Sequence, residues 1–160
     1  MFVLGHIGLT LAAAQRLERN VDARWAAFLA LAPDILDKPL SRLTPELAHH
    51  NTRGLGHSLA FSFCVLGALL LWKRKPKPAL VLWGCYAGHF LLDAMWSGLN
   101  PRIAFWPLLG DFPPRVMTPL LSWMTLWTVT GELAGLFVLV RLGLFDRTRR
   151  AALLRTGRLG

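Results

Sequence analysis

A chain of 160 residues has room for one domain, and a hydrophobic fraction of 54% with a mean hydropathy of +0.42 leaves too little polar surface for a small soluble protein. The net charge of +9 does not describe a nucleic-acid surface, because the cations cluster beside apolar runs and so suit anionic lipid. The two cysteines, Cys64 and Cys85, offer no disulfide framework and no CxxC zinc pattern, and both are expected as small buried hydrophobes. What remains is an all-α integral membrane bundle of about five helices, some of them short or only partly spanning.

The first apolar segment, 2–15, lacks the basic leader and small-residue cleavage site of a signal peptide, so it is expected to stay in the mature chain. The second, 25–36, closes on Ala32-Pro33-Asp34. A polar stretch over 37–56 follows, holding Lys38, Arg42, Glu46, His49, His50 and Arg53, with the two adjacent histidines read as solvent-facing. The third segment is 57–72. The cations Lys73, Arg74, Lys75 and Lys77 separate it from the fourth, 79–96. The fifth, 119–145, is interrupted by Glu132, and 146–160 forms a basic tail to the single domain 1–160. Only the last two segments reach the roughly 20 residues of a perpendicular span, with 57–72 close behind.

Charge bias orients such a bundle. With the 73–78 loop in the cytoplasm and alternate threading, thirteen cations fall inside and five outside. Trp25, Trp72 and Trp83 then mark the inner interface, and Trp96, Trp106 and Trp123 the outer one. The same threading carries His6, Asp34, His57, His89 and Asp93, from four separate segments, to the outer side.

His89 and Asp93 lie four residues apart, so on a helix they share a face. Ionisable groups are costly inside an apolar segment and are functional candidates by default. With Asp34 and His57 they offer two nitrogens and two oxygens, a mixed donor set that zinc accepts. A hydrogen-bonded pair within the bundle is the plain alternative for His89 and Asp93, and a helix-end or turn residue for Asp34. His6 is either a buried hydrogen-bonded imidazole or a ligand to a second metal. His57 follows Arg53-Gly54-Leu55-Gly56, a turn whose glycines permit close backbone approach and whose Arg53 could clamp a phosphate. Ser58 is a capping group or a support to the ligands. Asp37, more often solvated at such a position, has at most a supporting role. Glu132 is expected to orient a ligand imidazole or to accept from Thr128.

Together these motifs resemble the YdjM-like family of membrane-bound metal-dependent hydrolases. The resemblance rests on Gly5-His6, Ala32-Pro33-Asp34, Arg53-Gly54-Leu55-Gly56-His57-Ser58, Gly88-His89-Phe90-Leu91-Leu92-Asp93, Gly98 and Phe105-Trp106-Pro107-Leu108, in the family's order. The family places its second Asp two residues after the first, whereas Asp37 is three residues after Asp34. Thr52 stands where the family often has a His. The order of His6, Asp34, His57 and the His89/Asp93 pair is also similar to the first half of the ligand set in zinc-dependent phospholipases C and single-strand nucleases. Their later HxxxD is missing here, since no His follows His89.

The resemblance implies a membrane-bound metallohydrolase with one divalent ion or two, zinc foremost. Its metal-activated water would cleave a phosphodiester of a lipid or lipid-linked molecule at the outer face of a bacterial-type inner membrane. Asp34, His57, His89, Asp93 and Arg53 are the expected catalytic set, and His6 joins Asp34, His57, His89 and Asp93 as a metal ligand. Membrane lipids are the expected partners and nucleic acid is not. The alternatives are a metal-binding transporter or sensor without turnover, and a helical scaffold for a partner.

Overall fold

The computed structural model describes residues 3–44, 51–113 and 125–158, and every regular element among them is helical. The elements are α1 (Val3–Leu17), α2 (Ala23–Leu43), a 3-10 turn (Leu55–His57), α3 (Leu59–Lys73), α4 (Pro76–Leu92), α5 (Asn100–Ala104), α6 (Leu126–Arg141) and α7 (Arg147–Thr156). His49, His50 and Trp123 lie outside the described residues. Among those described, no helix is long and apolar enough to cross a membrane. The two segments expected to span appear as helices of 17 and 16 residues, α4 and α6, about 25 Å each against a hydrocarbon core of roughly 30 Å.

The largest departure from the sequence reading is α2. Expected over 25–36, it runs for 21 residues through Pro33 and Pro39. Each proline withholds one backbone donor, yet the buried face continues at helical spacing through Ala26, Leu29, Ala30, Pro33, Asp37 and Ser41. Asp22 caps its start by accepting from the Arg24 N–H at 3.0 Å, and the Thr44 N–H closes its end on the Leu40 carbonyl at 2.8 Å. The continuation past Pro33 carries Asp37 inward.

At the centre is α4, packed on α1, α2 and α3, with Leu82, Cys85, Tyr86 and Phe90 in the core. Pro76 opens it, where a missing N–H is harmless, and Asp93 ends it by donating its N–H to the His89 carbonyl at 2.8 Å. Ala94 then takes a left-handed conformation, φ 51°, and turns the chain away. A close crossing joins α1 to α6: a Cβ built on Gly8 would stand 2.3 Å from the Gly135 carbonyl oxygen.

The ring of Trp25 meets Trp72 with centroids 4.8 Å apart, and Trp96 meets Trp127 at 6.2 Å. The first pair joins the start of α2 to the end of α3. Trp83 departs from its expected place at an interface. Its indole N–H donates to Ser62 Oγ at 2.8 Å and joins α4 to α3 within the bundle. Cys85 is buried as expected, but Cys64 is exposed on α3. The basic tail contains a helix, α7, capped by Asp146. It docks on the start of α2, where the Ala23 N–H donates to the Gly157 carbonyl at 2.8 Å and Arg24 Nη1 donates to the Leu154 carbonyl at 3.0 Å.

Candidate metal centre

The site grows from the backbone of residues 54–57. Gly54, Gly56 and His57 point their N–H groups at the Asp37 carboxylate, at 2.7, 2.8 and 3.1 Å. Gly56 is required here, because a Cβ would lie 2.9 Å from the Pro33 carbonyl oxygen and 3.1 Å from Asp37 Oδ1. Ser58 turns this loop into α3 by accepting from the Phe61 N–H at 3.2 Å and donating to the Leu55 carbonyl at 2.7 Å. Its role is capping. Asp37 is buried, contrary to the solvated position expected, since α2 continues inward past Pro33.

The same carboxylate takes the ring of His57, with Nδ1 at 2.7 Å from Oδ2. Oδ2 already accepts the Gly54 and His57 N–H groups, so it accepts here too and Nδ1 carries the proton and donates. His89 Nδ1 lies 2.7 Å from the Ala30 carbonyl oxygen, which can only accept, so this ring donates from Nδ1 as well. Both Nε2 atoms are therefore lone-pair nitrogens in the neutral rings, and they face each other across 3.1 Å. Two lone pairs at that distance repel unless a proton or a cation lies between them. Neither ring touches solvent. Adjacent nitrogens on a tetrahedral ion with bonds near 2.05 Å would be about 3.3 Å apart. The donor set fits a divalent cation.

Carboxylates complete the cluster. Asp34 Oδ1 stands 3.8 Å from His57 Nε2, and Asp93 Oδ2 stands 3.8 Å from His89 Nε2 and 3.9 Å from His57 Nε2. His6 Nε2 is 3.3 Å from Asp93 Oδ1, and its ring lies over His89 with centroids 4.1 Å apart. Two groups result, His6 with His89 and Asp93, and Asp34 with His57 and His89; the ligand atoms of each lie within 4.8 Å of one another. All five residues proposed as metal ligands thus meet at one place, and His89 belongs to both groups. The buried His/Asp groups could hold a metal ion.

Two cations border the cluster. Arg53, one-third exposed at 33%, donates to Asp93 Oδ2 from Nη2 at 2.9 Å and from Nε at 3.2 Å, while Nη1 reaches Asn100 Oδ1 at 3.3 Å. Lys38 holds Asp34 Oδ2 at 2.6 Å across one helical turn.

A family model described as YdjM inner membrane protein matches residues 1–155. The chain belongs to that family. No curated protein and no solved structure matches it.

Glu132 departs from the sequence reading. Among the described residues it reaches no imidazole, and Thr128 bonds Thr125 instead. Its carboxylate accepts the Gly5 N–H at 2.9 Å and the Leu4 N–H at 3.2 Å, capping the start of α1 one residue before His6. Its contacts are thus with the helix that carries His6 and not with an imidazole ring.

Two participants were missed. The Ala30 carbonyl is backbone, and no residue type announces it. Tyr86 donates its hydroxyl to the Gly56 carbonyl from within the core; its signal was being the only tyrosine in the chain, set in an apolar run. Tyr86→Phe is expected to lower stability by about 1 kcal/mol and to loosen the turn that carries His57. Thermal unfolding together with amide exchange at residues 54–57 would read both.

Proposed function

We propose that this protein is a metal-dependent hydrolase that cleaves a phosphodiester of a lipid or lipid-linked molecule at the outer face of the inner membrane, with α7 on the cytoplasmic side. The observation that supports it most is the facing pair of Nε2 atoms, each ring locked by its own Nδ1 acceptor and ringed by Asp34, Asp93 and His6. A divalent ion, zinc foremost, would be held by these residues and would supply a Lewis acid that lowers the pKa of a water toward about 7. Asp37 and the Ala30 carbonyl fix the imidazoles, so both rings would keep their orientation when the ion enters. Arg53, held by Asp93 and Asn100 yet partly open, would neutralise charge on the phosphoryl oxygens. The asymmetry of thirteen cations to five supports the orientation.

Purified protein loaded with zinc and offered phospholipid in detergent is expected to release headgroups, with loss of the activity in His89→Ala and on chelation. Headgroup release that survives both treatments rules the proposal out.

A second function is favoured by one observation. Asp34 and Asp93 are already covered by Lys38 and Arg53, at 2.6 and 2.9 Å. A closed site of that kind suits a metal-binding transporter or sensor without turnover. Metal flux into liposomes under a gradient, with no headgroup release, would select it.

A further inference from the structure

A groove of about 720 Å³ runs between α1 and α4, lined by Leu9, Ala13 and Leu17 from one helix and Leu80, Gly84 and Leu91 from the other. Its volume falls within the roughly 300–1,000 Å³ of small-molecule sites, but the only polar or charged lining side chains outside its cysteine are Thr10 and Lys77. The sequence makes the groove by omission. Gly84 and Gly88 share one face of α4, and a Cβ on either would meet nothing within 4 Å.

Its two ends differ. At one, Lys77 pairs with Glu18 at 3.1 Å, tying the start of α4 to the chain just after α1. At the other, Gly88 and Leu92 adjoin His89 and Asp93, and Thr10 lies one turn along α1 from His6. From Lys77 to Leu92 the helix rises about 22 Å. The groove is therefore a long apolar channel with one end beside the turn of α4 that carries His89 and Asp93, and Arg53 pairs with Asp93 there.

We infer that this groove holds one acyl chain of a membrane phospholipid, with the headgroup end at His6, His89 and Asp93 and the methyl end at the Lys77–Glu18 pair. The inference deepens the proposed hydrolase activity and rests on it for the position of the headgroup. An aliphatic chain suits a lining without hydrogen-bonding groups along its length. The Arg53 guanidinium complements a phosphodiester at the polar end. A second helix, about 10 Å across, does not enter a space between two helices that already touch.

The probe is phosphatidylglycerol carrying a photoreactive diazirine along one acyl chain, cross-linked to the full-length protein in nanodiscs and mapped by peptide mass spectrometry. Cross-links concentrated on α1 and α4 are expected, falling about tenfold in Gly84→Leu, whose side chain grows into open space and displaces roughly two methylenes of lipid. Leu71→Trp, on the exposed face of α3, should leave them unchanged. Labelling spread over all apolar faces, or labelling of α1 and α4 indifferent to Gly84→Leu, overturns the inference. So does a second copy of the chain recovered in the groove in place of lipid. The readout needs no turnover: groove-specific labelling without phospholipid hydrolysis ends the hydrolase proposal and leaves the groove standing, and metal-dependent hydrolysis with indifferent labelling does the reverse.

Discussion

Asp37→Ala is expected to lower stability by about 4 kcal/mol, because three backbone N–H groups, two of them buried, and the His57 ring lose one shared anionic acceptor. Among the described residues no other side chain bonds these three amides. His57 then loses both its tautomer and its aim, so metal affinity should fall about 10- to 100-fold even in molecules that remain folded. Asp37→Asn separates the two effects. It keeps the shape, but its amide nitrogen must face donors, so the affinity loss should persist with a smaller loss of stability. Thermal unfolding in detergent and competition with a graded chelator measure the two quantities. Unchanged values in both variants would mean that Asp37 does not organise the site.

The second large effect is expected at the crossing of α1 and α6. In Gly8→Ala the new methyl would stand 2.3 Å from the Gly135 carbonyl oxygen and 2.7 Å from its Cα, contacts with backbone that cannot rotate away. The helices must separate, at about 3 kcal/mol. Leu4 and Gly5 then leave Glu132, and His6 moves with them. Gly84→Ala is the matched control. Its methyl meets nothing within 4 Å, and alanine favours a helix over glycine by about 1 kcal/mol, so the same exchange should stabilise α4. Opposite signs for the two glycines in one unfolding series would establish the crossing; equal effects would remove it.

Much of the cluster was legible because it is made of residue types that apolar segments rarely contain. His89 and Asp93 stood four apart in an apolar run, and alternate threading carried His6, Asp34 and His57 to the same end. Asp37 was legible only as a residue, not as a role. Its three-residue offset from Asp34 placed it in a polar stretch, and only the continuation of α2 through Pro33 turns it toward the His57 loop. Glu132 is expected from the sequence to meet an imidazole or Thr128, whereas its partners are backbone amides of another helix, and nothing in a spacing pattern identifies those. The Ala30 carbonyl belongs to the same class. Helix ends were misjudged where prolines and polar residues sit inside a helix, as in α2, or where a basic tail reads as plain charge, as in α7. Hydropathy reports the average of a face and its reverse, whereas packing decides by face alone.

The central claim is that His57 Nε2 and His89 Nε2 share a cation. It is tested most directly by the metal content of the purified protein, measured by elemental analysis beside that of His57→Ala and His89→Ala, with circular dichroism showing that each is folded. One divalent ion per chain, or two, is predicted for the wild type, with the ion near His57 lost from both variants. A folded wild-type protein that binds no divalent ion from excess zinc, or variants that retain the full complement, would contradict it.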